Sequence, residues 1–533
     1  MSDWMAEQLA QMSLPEKVGQ LVFAFTGDES GSIEHMLRDG QVGAVGVGYR
    51  DARDPEALAR LNNRLQEMTR VPVLIKSHFE DPRGVPGGVI SAGMIPNNMA
   101  LGATRSSELA CRAGRIVGEE SRLTGVHIPT PVVVDVNTNP HNPIINLRSF
   151  GESPDLVAEL AVAVYRGLKE AGVLGMAYHF PGHGDTSSDS HMEMPVVTHP
   201  RQRFEDVDLK PYRALIAEGV EIVTAAHVHY PQLDPTPGLP ATLSSRILDG
   251  LLRQELGFRG VLETDSMRMK GITSYFDDAE AVVQAVLAGN DLIMVSNGRK
   301  AYDTIFDAVQ AGRITEARLD ESVRRLLVAK QAAALDRQRF VDPVEAARQV
   351  ERLDIADTAL EIGRRALTCA RGGNLVHSMA ADSRMLWVIA ETDPRPDGAL
   401  PHEELKEMAA ARFPRATFVT IQADPAPAQI AATVETAREV DLALLAIFPR
   451  AQAHNPQTSQ ATSGQVQLAR ELAAAGRVAV FCYGNPYALR GFGMADALIC
   501  AYSPWAACLQ ASVEFLAGEI EAPGELPVSL GVG

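Results

Sequence analysis

What most constrains this chain is a rhythm through its first two thirds. Short, wholly apolar runs recur there, each followed by an amphipathic stretch of helical period: Val42–Val47, Val73–Ile75, Val132–Val134, Ile222–Ala225, Gly260–Leu262 and Leu292–Val295. Strands apolar on both faces that alternate with helices belong to a parallel sheet covered on both sides. Polar residues cluster just after the runs: Lys76 to Arg83, Asp135 to Arg148, His179 to Asp185, His227 to His229, and Glu263 to Asp265. In a (β/α)8 barrel the active site lies at the C-terminal strand ends, so this distribution predicts a TIM-type barrel over 1–340. An open dinucleotide-binding sheet would need a Gly-x-Gly-x-x-Gly turn after a first strand, and none is present. The stretch 341–375 is charged, alanine-rich and helical in pattern, which suits a connecting arm. Runs at Met385–Ala390, Thr417–Ile421, Leu442–Ile447 and Val478–Tyr483 then predict a separate α/β sandwich domain over 376–533.

With 533 residues, 46% of them hydrophobic and 22% charged, the chain can bury more than one core. A net charge of -18 argues against nucleic acid or an anionic membrane as a partner, because the long-range field repels both. The five cysteines are scattered among apolar or small neighbours, as expected of reduced structural thiols. The start, Met1–Glu7, lacks a basic segment followed by an apolar one, and no uninterrupted apolar run reaches about 18 residues, so the expected location is the cytoplasm. A homodimer is compatible with these features.

The segment Ala177–Thr186 reads as a bent loop, too rich in glycine and proline for helix or strand, that sets His183 and Asp185 one residue apart. A carboxylate beside an imidazole fixes its tautomer and raises its basicity, which suits proton transfer; a polar turn is the bland alternative. A metal site built from His179, His183, Asp185, Asp189 and His191 is a second reading, weakened because Pro181, Gly182 and Gly184 preclude the helix that would align His179 with His183. Asp265, directly after an apolar run, either caps the following helix or presents its carboxylate at a barrel rim. His227 and His229 either face a pocket or are satisfied by backbone bonds. Trp387 and Phe481 lie within strand-like runs and are expected in the core.

Several ordered segments together resemble the family 3 glycoside hydrolases, in particular their β-N-acetylhexosaminidase branch. They are Leu14–Leu21, Met99–Thr104, Asp135–Pro140 leading to Ile145–Gly151, His179–Thr186, Pro240–Ser244, Thr264–Met267, Gly484–Tyr487 and Gly524–Leu530, spread over nearly the whole chain. The resemblance implies a retaining glycosidase acting on a terminal β-linked sugar without cofactor or metal. Its nucleophile falls on Asp265 and its acid/base pair on His183 with Asp185. Substrate contacts fall on His78, Glu80, Arg83, Arg148, Tyr178, His179 and Met267.

The glycon-binding pattern departs from the family at two positions. Where relatives read Ile-Asp-Gln-Glu-Gly-Gly-Arg-Val, this chain reads Ser77–Gly84, so the sugar-gripping aspartate is replaced by His78; the family's sugar-binding lysine before His179 is replaced by Tyr178. A carboxylate only accepts and a lysine only donates, so the exchange changes which hydroxyls can be bonded. Two alternatives follow: a glycosidase or phosphorylase for a different glycon, with Lys76 and Arg83 admitting an anionic one, and a sugar-binding homologue without catalysis. An imidazole acid/base repels an incoming anion less than a carboxylate would, which leaves phosphate open as an acceptor beside water.

Overall fold

Alternation along the first eight strands sorts their side chains into two layers. In a computed structural model of the protein, describing residues 3–29, 31–48, 54–77, 94–129, 131–395, 398–450 and 456–531, one set (Phe23, Ala44, Leu74, Met176, Ile222, Val261) forms an inner apolar cluster with Leu326 and Ala329. The intervening set (Val22, Val45, Ile75, Ala177, Val223, Leu262) packs outward into a larger cluster shared with the flanking helices. This is the period-2 geometry of a strand with both faces buried.

The strands are β1 (Val22–Phe25), β2 (Ala44–Val47), β3 (Leu74–Ser77), β4 (Pro131–Val133), β5 (Met176–Phe180), β6 (Ile222–Ala225), β7 (Val261–Thr264) and β8 (Ile293–Met294). They form two four-stranded parallel sheets, ordered β3-β2-β1-β8 and β4-β5-β6-β7. Single parallel bridges, Lys76 to Ile128 and Glu263 to Leu292, join them at both seams, so the eight strands close into the expected ring. Two strands escape the sequence reading. β1 is a short apolar run directly after helix Leu14–Gln20, and β5 occupies Met176–Phe180, corrected here from loop to strand; the bend starts only at Pro181. Tyr178 and His179 hide β5 in the sequence, because they are polar residues buried inside a barrel.

Helices Pro343–Val350 and Ile355–Ala366 follow the barrel, but Thr368–Arg371, within the stretch expected to be helical, is a strand, β9. It pairs antiparallel at the edge of a second sheet formed with β10 (Met385–Ala390), β11 (Thr417–Ile421), β12 (Leu442–Ile447), β13 (Val478–Cys482) and β14 (Ala497–Cys500), in the order β11-β10-β12-β13-β14-β9. Helices Pro401–Arg412 and Ala506–Leu516 cover one face and helices Pro427–Ala437 and Ser463–Ala475 the other, completing an α/β/α sandwich. The second face also takes in Met99, Ala100, Ala103 and Leu147 of the barrel half. All five cysteines are free thiols, and among the described residues no helix is long and apolar enough to cross a membrane.

Candidate active site

Three ionisable side chains line up across the mouth of the barrel. Asp265 follows β7, and because Val261, Glu263 and Asp265 share one face of that strand, its carboxylate turns inward. His179, on β5, puts Nε2 3.9 Å from Asp265 Oδ2 and Nδ1 2.7 Å from Oδ2 of Asp135, a fully buried carboxylate just past β4. Asp135 also accepts the backbone N–H of His183 at 2.6 Å. Burial alone would raise the Asp135 pKa, but His179 and His183 outweigh it and hold the group below its ordinary value. Asp265 behaves alike: withdrawal from water pushes its pKa up, while the charges of His179, His227 and His191 and the Ser266 N–H, which donates to Oδ1 at 2.6 Å, bring it well below the carboxylate range. Its side chain is 22% exposed. An ionised, immobilised and reachable carboxylate can serve as a nucleophile.

The expected His183–Asp185 pair is not brought together. The His183 ring is 2% exposed, with Nδ1 2.8 Å from Thr186 Oγ1 and Nε2 3.0 Å from Ser190 Oγ; burial, then the charge of His179, push its pKa down to about 4. Asp185 instead bonds His199 and Thr138. The pair that forms lies four residues further on. His191 Nδ1 is 2.7 Å from Asp189 Oδ1, which also accepts the His191 N–H at 2.8 Å, and the His191 side chain is 32% exposed. Of the five residues of the metal reading, Asp189 bonds His191 and the His179 and His183 rings meet edge to face at 5.4 Å, but among the described residues no group of three or more His, Cys, Asp or Glu is placed to hold a metal ion.

The loop that carries these residues is held tightly. A Cβ on Gly184 would stand 2.0 Å from the Val136 carbonyl oxygen, so only glycine lets the loop lie against the segment after β4. The β5–β6 register shifts between Ala177 and Phe180, an irregularity of the kind that re-aims side chains at barrel rims.

A family model described as the N-terminal domain of glycosyl hydrolase family 3 matches residues 13–329, more than half of the chain. The chain belongs to glycosyl hydrolase family 3. A β-N-acetylglucosaminidase/β-glucosidase of Cellulomonas fimi is 31% identical over 379 residues, 69% of this chain and 66% of that protein. A β-hexosaminidase A of Pseudoalteromonas piscicida is 32% identical over 284 residues, 49% of this chain and 48% of its own length. The chain thus spans about half to two thirds of these curated relatives. A solved family 3 β-N-acetylglucosaminidase from Paenibacillus sp. str. FPU-7 is 31% identical, covers 98% of this chain and all of its own, and superposes with a TM-score of 0.82.

Within this family 3 barrel the expected sugar contacts divide. Arg148 donates to the Tyr178 hydroxyl at 2.7 Å and lies over its ring, whose centroid is 3.9 Å from that of His179 with the planes tilted by 43°, so Arg148, Tyr178 and His179 form one wall. Met267 is buried and lines a side cavity of about 270 Å³ with Arg268, Val295 and Lys300. His78, Glu80 and Arg83 lie outside the described residues. Lys76, considered for an anionic glycon, is no rim residue: it is 1% exposed inside the barrel, 2.5 Å from Glu263. Asp135, Asp189, His191 and His227 are absent from the expected site. His227 is buried between Thr242 Oγ1 at 2.8 Å and the Ser266 carbonyl at 3.0 Å, next to Asp265. A polar residue directly after an apolar run is the signal that marks Asp135 and His227.

Proposed function

We propose that this family 3 chain is a retaining, exo-acting β-glycosidase of the β-N-acetylglucosaminidase type. Asp265 attacks the anomeric carbon of a terminal β-linked sugar; the bond to the aglycon oxygen breaks, and that oxygen takes a proton from His191. Water then gives a proton back to His191 and attacks the same carbon, breaking the ester to Asp265 and releasing the sugar. Asp189 holds the His191 tautomer, and Asp135 acts through His179, which borders the nucleophile. The observation that carries the reading is the ionised Asp265 in the barrel mouth with a carboxylate-held, partly exposed histidine on the neighbouring loop. The choice of an N-acetylglucosaminide rests on the names of the relatives at 31–32% identity.

The test is a panel of activated β-glycosides (N-acetylglucosaminide, glucoside, galactoside, uronide), with and without phosphate. Release from the N-acetylglucosaminide with retained β-configuration of the first-formed sugar is expected. Sugar phosphate as product would make the acceptor phosphate; cleavage of another glycoside alone would move the specificity; no cleavage of any would favour a non-catalytic sugar binder.

A further inference from the structure

The second sheet contains a topological switch. From β10 the chain passes through helix Pro401–Arg412 to β11 on one side, then returns through helix Pro427–Ala437 to β12 on the other side of β10. The helices after β10 and β12 pack on opposite faces of the sheet, so the loops leaving their carboxyl ends diverge. In open α/β sheets such a split opens a crevice that binds ligands. A cavity of about 500 Å³ lies there, and the residues lining it all belong to the sandwich.

Its chemistry narrows the ligand. Glu391 and Asp393 come from the loop after β10 and Arg450 from the loop after β12, with Arg450 Nη2 3.0 Å from Asp393 Oδ2 across the opening. Two carboxylates against one guanidinium leave the wall net negative, which disfavours phosphate or nucleotide even though two helices begin at the cavity. Phe448 and Tyr483 stack at 5.1 Å and 19° to form an aromatic side, with the Phe448 ring partly exposed and Tyr483 buried behind it. Gln460, Thr392 and Thr462 add groups that both donate and accept. An aromatic face ringed by mixed donors and acceptors in a space of this size suits a neutral polyhydroxylated ligand. We propose that this crevice is a second saccharide-binding site, separate from the barrel mouth, for one or two sugar units.

The test is calorimetric titration of the full chain with N-acetylglucosamine, glucose and cellobiose, and separately with inorganic phosphate. The expected result is two saccharide sites per chain, one of them weakened at least about tenfold in Phe448→Ala and Glu391→Gln while hydrolysis of a small chromogenic β-glycoside is unchanged. Glu391→Gln keeps the test valid if Phe448→Ala lowers the thermal midpoint. A single saccharide site, a second site indifferent to both substitutions, or phosphate binding in its place would overturn the proposal. The titration needs no turnover, so failure of the hydrolytic reading leaves its outcome readable.

Discussion

At the residue scale the chain offers two histidine–aspartate pairs within nine positions, and chemistry separates them. His183 is sealed between two hydroxyls and held neutral, whereas His191 is partly exposed and backed by a carboxylate. His191→Ala is therefore expected to lose about 10²–10⁴-fold in kcat/KM for substrates with poor leaving groups and much less for activated ones, the pattern of a missing general acid. His183→Ala should slow both classes alike, since it disturbs the loop rather than the proton. A leaving-group series on both variants checks this, and a steeper series for His183→Ala would reverse the assignment. Asp265 was legible only through the ordered resemblance to family 3, because a carboxylate directly after an apolar run serves equally well as a helix cap. Asp189–His191 was not, because both pairs have the same spacing and only folding decides which one bonds.

At the scale of elements, the barrel interior holds a buried ion pair. Lys76 on β3 reaches Glu263 on β7, two residues below Asp265, and Glu263 Oε2 has no partner among the described residues. Burial raises the Glu263 pKa while Lys76 opposes it. Removing one partner leaves an uncompensated buried charge, so Lys76→Met should cost about 3–5 kcal/mol in urea unfolding, while Lys76→Met with Glu263→Leu should recover most of it. Equal stability of the single variant and wild type would show that the pair is not dehydrated. Gly184→Ala is expected to lose activity with little change in the rest of the fold, because its Cβ collides with backbone. The same interior explains the missed strands. β5 carries polar residues that read as loop until a barrel buries them, and a four-residue apolar run such as β1 cannot be told from a helix end by period.

For the whole molecule, the ring of strands and the sandwich were readable from the order of apolar runs, because both are repetitions of one strand–helix unit. The edge strand β9 was not, since three of its four residues are only partly buried and it follows a helix, and its neighbour β14 (Ala497–Cys500) was missed as well. Global stability should carry the mark of two neutral histidines drawn from water, His183 buried and His127 half-buried. His127 accepts the Ile75 N–H at 2.9 Å, and burial, then Lys330, push its pKa down to about 3; His183 lies at about 4. The unfolded chain takes up these protons near pH 6.5 and the folded chain refuses them until far lower, so stability falls as pH drops below about 6.5, by about 3 kcal/mol for His183 alone by pH 4. Urea midpoints from pH 7 to 4.5 measure the slope, which His127→Gln should flatten; an unchanged slope would place the acid sensitivity elsewhere.

The central claim is a sugar ester on Asp265 that His191 helps to form and to hydrolyse. Its most direct measurement is the intact mass of His191→Ala during turnover of an activated β-N-acetylglucosaminide, followed by peptide mapping. With no base to activate water the ester should accumulate, adding the mass of one sugar residue to the peptide containing Asp265, and the adduct should vanish in Asp265→Ala. An adduct on another residue, or one that accumulates in His183→Ala and not in His191→Ala, would contradict the account.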